Sequence, residues 1–254
     1  FESALDVLAG TLVIATNGAI DVAGRGYLGG ERPANNGTNE GRWQGNAIGS
    51  TVHAGGSYGG LGGATSGGVP NPLYGSSNAP VDLGAGGGRG SDDNWPGSDG
   101  GGRIAILAGS LQVDGLISAD GATGGGAQAG AGSGGSVYIR VGALAGQGAI
   151  RAQGGSGQVG GGGGRIAVHF TGEASNTNTL TFSTAANVAG APGQPGSLFF
   201  DRTYAYVPFS FAGDGAGSGP SPFSLYITSL VRNLAGTATV GWSDSVARRT
   251  SPAT

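Results

Sequence analysis

Apolar residues recur along the chain in short alternating runs. Four segments carry them: Ala4 to Gly24, Ile104 to Gly121, Val137 to Gly154, and Ile166 to Phe170 with an irregular continuation. The second and third align without a gap at a spacing of 33 residues, while the first needs two extra residues near Thr16 and Asn17. Apolar positions then fall into columns: Leu5, Ile104, Val137 and Ile166; Val7, Ile106, Ile139 and Val168; Leu12, Leu111 and Leu144; Ile20, Ile117 and Ile150. Period-two alternation marks strands and sends Tyr138, Arg140 and His169 to the opposite face. Each segment reads as about three short strands separated by tight Gly turns. No stretch keeps a 3.6-residue apolar period, so almost no helix is expected.

Like residues repeating over like residues suit strands stacked in register, ~4.8 Å apart. The expected fold is all-β: a short parallel β-helix (β-solenoid) with long Gly-rich loops and a C-terminal aromatic-rich β tail. Four or five coils would stand only ~20 Å tall and leave two exposed ends to be capped or stacked. The solenoid is assigned to residues 1–198, with an inserted lobe at about 25–102, and the extension to residues 199–254. The runs Gly121 to Gly135 and Gly154 to Gly164 occupy equivalent places between segments. Either they are flexible linkers, or their backbones approach and pair directly as in polyglycine II.

The inserted stretch holds Trp43, Tyr58, Tyr74 and Trp95, more aromatic residues than a solvated loop needs, and reads as an ordered lobe. Nine of the eighteen aromatics lie from Phe199 onward, and Leu225 to Val231 and Thr237 to Trp242 read as two strands. These would either cap their own chain or pair with a neighbouring subunit.

Composition narrows the function. Glycine supplies 59 of 254 residues, yet 37% of the chain is apolar and concentrated in the columns, which argues against disorder. Every basic residue is Arg, and the net charge of −3 leaves no basic face for nucleic acid. Cysteine is absent, so disulfides, thiolate chemistry and Cys metal sites are excluded. No apolar run is long enough to span a bilayer, so membrane insertion is not expected.

The order HAGGSYGGLGG, YGS with a following Pro, LGAGGG, GGGRIAI, VDGLISADG, GSGGSVYI and GGGGGRIAV resembles a glycine-rich repeat domain of large bacterial surface and secreted proteins. The resemblance covers roughly Ala4 to Phe200. It implies an extracellular β-solenoid with no established catalytic residues.

Candidate chemistry is sparse. Asp92, Asp93 and Asp99 form the densest acidic cluster, read either as a calcium site or as a solvated turn. Asp114 and Asp120 fall at corners, where Asp caps its own turn. No Ser or carboxylate close in sequence makes His169 part of a triad. Arg103 and Arg165 match in position, with Ser136 between them, and are expected to bind loop carbonyls or carboxylates. Trp43, Tyr58, Tyr74 and Trp95 could stack on sugar rings, although anchoring the lobe explains them equally well. Parallel β-helices also host polysaccharide lyases and hydrolases, but the chain lacks Lys and shows few outward carboxylates.

The sequence therefore leads to a non-enzymatic extracellular structural protein that polymerises head to tail into a surface filament or an adhesive stalk. Its assembly residues would be Phe209, Phe211, Leu225, Tyr226, Ile227, Val240 and Trp242. A carbohydrate-binding adhesin module, with surface polysaccharide as partner, is the alternative.

Overall fold

A computed structural model describes residues 2–32, 35, 37–92, 94–171, 179–186 and 190–201, together with the backbone of 225–232 and 238–244. Two parallel sheets organise it. The larger has the order β1 (Ala4–Ile14), β5 (Arg103–Val113), β7 (Ser136–Ala145), β9 (Arg165–Phe170) and β11 (Ser197–Phe200). The smaller runs β2 (Ala19–Asp21), β6 (Leu116–Ser118), β8 (Ala149–Arg151) and β10 (Thr181–Ser183). A two-residue pair, β3 (Arg42–Trp43) with β4 (Ala47–Ile48), lies in the inserted segment, around a short 3₁₀ turn. The antiparallel hairpin β12 (Leu225–Arg232) and β13 (Ala238–Asp244) forms a separate two-stranded sheet.

The apolar columns recur as register. Leu5 pairs with Ile104, Ile104 with Val137, and Val137 with Ile166. Ile20 pairs with Ile117 and Ile117 with Ile150. The two extra residues of the first segment fall in the turn between β1 and β2. Both sheets turn these columns into one core, in which Ile104, Val137, Ile139, Leu144, Ile150, Ile166 and Val168 are fully buried. Each such side chain contributes about 1.5–3 kcal/mol by leaving water.

The expected β-helix is not formed. The strands belong to two flat parallel sheets, and each segment supplies two strands, one long and one of three residues, rather than three. Register columns specify which residues stack; they do not specify that the chain winds through further sheet faces. Where another strand ladder would be required, the chain is mostly glycine and bonds in a different pattern.

That pattern has a period of three. In the stretch 130–135, Gly130 and Ser133 donate to Gly88 and Ala85, Ala131 and Gly134 to Val159 and Gly162, and Gly132 and Gly135 to Ala122 and Ala119. One stretch thus bonds to three neighbours in rotation. In 160–164, Gly160 and Gly163 donate to Ala191 and Gln194, Gly161 and Gly164 to Gly155 and Ala152, and Gly162 to Gly56. Three residues per turn is the polyglycine II geometry, in which successive N–H groups point in three directions. The inserted segment supplies further rods of this layer, including 84–89 and 97–102, while 55–63 folds back on itself, Gly55 donating to Gly63 and Tyr58 to Gly60. Close approach demands glycine: a Cβ on Gly132 would lie 1.9 Å from the Asp99 carbonyl oxygen, and one on Gly161 1.9 Å from that of Gly132.

These rods lead directly into β5, β7, β9 and β11, which explains why the most permissive backbone abuts the stiffest. At the junction the register column reads Arg103, Ser136, Arg165, Ser197. Long cations alternate with small hydroxyls, so no two guanidinium groups are adjacent. Arg103 pairs with Asp6 at 2.6 Å, and Arg165 donates to Ser197 Oγ at 3.0 Å.

Substitutions should separate lattice glycines from incidental ones. Gly132→Ala is expected to lose at least about 3 kcal/mol or fail to fold, because the surrounding backbone has no room to shift. Gly10, in β1, has nothing within 4 Å of an added Cβ. Gly10→Ala should leave stability unchanged or raise it by about 0.4–1 kcal/mol. Urea unfolding followed by circular dichroism measures both.

Candidate functional site: an uncovered edge and the groove beside it

β1 is the end strand of the larger sheet, and no described strand pairs with its outer side. Its core-facing residues show the consequence. Leu5 is 38% exposed, whereas Ile104, Val137 and Ile166 in the same column are fully buried. Val7, Leu12 and Ile20 are likewise only partly covered. On the outer face Leu8 is 81% exposed and Val13 57%. At the opposite end the core is closed by larger rings: Phe182 meets Phe200 edge to face at 5.1 Å between centroids.

Beside this edge the outer face of the larger sheet carries a groove of about 350 Å³, lined by Asp6 and Leu8 of β1, Ala105 and Leu107 of β5, and Tyr138 and Arg140 of β7. Register places Asp6, Ala105 and Tyr138 in one row and Leu8, Leu107 and Arg140 in the next. The methyl group of Ala105 between two larger neighbours makes the hollow.

Further along the same face lies His169. Nδ1 stands 3.1 Å from Asp201 Oδ2, and Nε2 stands 2.6 Å from the Asn78 carbonyl oxygen. Sequence proximity gave no hint of this carboxylate. The signal was the spacing of β9 and β11: Arg165 pairs with Ser197 32 residues on, and the same interval leads from His169 to Asp201. An Asp–His pair is two-thirds of a hydrolytic triad, but the nitrogen that would face a nucleophile is occupied by a main-chain carbonyl. The imidazole also meets the rings of Tyr138 and Phe199 in tilted contacts, at 5.2 Å and 5.3 Å between centroids. It clasps the inserted segment and the end of β11 onto β9.

The aromatic residues expected to meet sugar are not gathered on a surface. Tyr58 is fully buried and Tyr74 7% exposed, forming a second core with Ala85 against which Tyr27 and Trp43 pack. The Trp43 indole donates to Ile48 O, and Trp95, 40% exposed, lies away from that core against Gly125 and Gly126. Arg165 anchors the lobe: its guanidinium lies 5.1 Å from the Tyr58 ring centroid and donates to the carbonyls of Tyr58 and Tyr74.

Of the acidic cluster, Asp92 accepts from the Asn94 N–H as a turn cap, and Asp93 lies outside the described residues. Asp99 is buried, accepting from the Gly29 N–H and from both Nε and Nη2 of Arg32. These donors occupy the oxygens a cation would need. Among the described residues no three His, Asp or Glu side chains converge as metal ligands. Asp120 is half-buried beside Arg151 and accepts from the Gln153 N–H; its partial burial nonetheless raises its carboxyl above the ordinary carboxylate range.

Of the expected assembly residues, Leu225, Tyr226 and Ile227 lie in β12 and Val240 and Trp242 in β13, which pair with each other, Ile227 opposite Trp242. Phe209 and Phe211 lie outside the described residues. Among the described residues no helix is long and apolar enough to cross a membrane. No family model, curated protein or solved structure matches the chain.

The buried tyrosines set a pH limit. Burial pushes the Tyr58 phenol from 10.0 up to about 12, opposed in part by its hydrogen bond to Ser136, and raises Tyr74 as well. A phenol with a raised folded value binds its proton longer in the folded than in the unfolded chain. Its stabilising contribution is full below pH 10 and is lost as pH rises toward 12, worth about 3 kcal/mol for Tyr58. Unfolding midpoints should fall steeply between pH 10 and 12, and Tyr58→Phe should flatten that fall.

Proposed function

We propose that the chain is a non-catalytic structural module of the cell exterior that joins copies of itself head to tail, as a surface filament or adhesive stalk. The uncovered β1 end carries this reading. Eleven residues of in-register strand present one unpaired side, with core-facing leucines left partly in water. The two sheets begin at the same end of the molecule, with β1 and β2, and finish together with β11 and β10. A second copy docked end to end would continue both ladders and carry its aromatic-closed end onto the open aliphatic one. Such a contact uses two different surfaces, so it repeats without closing.

His169 enters this reading as a clasp: its Nε2 faces the Asn78 carbonyl oxygen and its Nδ1 faces Asp201. Placement outside the cell rests on the resemblance to glycine-rich repeat domains of surface proteins.

Negative-stain electron microscopy and sedimentation velocity test the proposal. The chain should form linear particles that lengthen with concentration. Leu8→Lys combined with Val13→Lys places charges on exposed positions of β1, where folding tolerates them, and should leave monomers. A wild-type chain that stays monodisperse at high concentration overturns the reading.

A further inference from the structure

From the groove beside β1 we infer a binding subsite for an acidic sugar unit of a polysaccharide. This inference does not require self-association: the groove opens on the face of the sheet, although Asp6 and Leu8 of its lining belong to the edge strand β1. Other charged groups of the two sheets are already engaged. Arg103 pairs with Asp6, Arg151 with Asp120, His169 with Asp201, and Arg165 binds carbonyls. Arg140 is exposed, and among the described residues neither it nor the Tyr138 hydroxyl has a hydrogen bond or ion pair. Two polar side chains open to solvent therefore border one hollow.

The shape and chemistry of the hollow fit a sugar ring. About 350 Å³ falls within the range of small-molecule pockets. The Tyr138 ring, fixed from behind by His169, offers an apolar face to the C–H side of a pyranose. The Ala105 floor lets the ring approach. The Asp6 carboxylate, held by Arg103, accepts from sugar hydroxyls. The planar guanidinium of Arg140 matches a carboxylate in bidentate geometry, which favours a uronate over a neutral hexose. With Asp6 neutralised by Arg103, Arg140 leaves the groove locally positive on a chain of net charge −3.

Isothermal titration calorimetry of the full chain, at a concentration where it is monomeric, tests this with two probes: a galacturonate hexamer and the neutral galactose hexamer. The acidic probe should bind at least about tenfold more tightly. Arg140→Gln should abolish that preference, and Tyr138→Ala should weaken both probes about tenfold or more. Arg25→Gln, at an exposed arginine elsewhere, should change neither. The inference is overturned if neither probe gives heat, if the neutral probe binds as well as the acidic one, or if Arg25→Gln and Arg140→Gln weaken binding equally. Circular dichroism confirms that each variant is folded.

Discussion

Everything in this molecule depends on backbones coming closer than any side chain permits. Across the glycine layer a carbonyl oxygen of one rod sits about where the Cβ of another would be, 1.9 Å away at Gly132 and at Gly161. Glycine loses more conformational freedom on ordering than any other residue, so a layer rich in it carries a large entropic penalty. Its return is a dense set of main-chain hydrogen bonds in three directions, with little room left for water. The aliphatic core supplies the complementary term. The two halves meet where each glycine rod becomes a strand, and the Arg103–Ser136–Arg165–Ser197 column stands at that seam.

Much of the sheet register was legible beforehand, because identical spacing of apolar residues constrains partners strongly. A slip of one residue would turn Ile139 outward and Tyr138 inward. The winding of the chain was not legible. Columns in sequence report what stacks on what, and they are silent about whether a glycine stretch forms another strand or a three-fold rod. Both readings satisfy the same composition; only the rotation of hydrogen-bond partners along Gly130 to Gly135 tells them apart.

The candidate sites divide along the same line. Alternation correctly sent Tyr138, Arg140 and His169 to the outer face. It could not reveal the groove, which arises from Ala105 lying between Asp6 and Tyr138 on neighbouring strands. The sequence spacing of Tyr58 and Tyr74 suits a sugar platform and an anchor equally. Burial and the Arg165 guanidinium make them an anchor. Asp99 looked like one member of an acidic loop, yet its oxygens are committed to Arg32, a partner 67 residues away that no local pattern announces.

The rotation of hydrogen bonds around each glycine rod also has a mechanical meaning. A β-sheet is anisotropic: its bonds lie in one plane, so a pull across the strands can open it one rung at a time, like a zipper. A rod bonded to neighbours on three sides has no such direction of easy peeling. Tension applied to any one rod is divided among the others. Beside the two sheets, the glycine layer acts as a brace that converts a tearing load into a shared one, a property suited to material that must hold under strain.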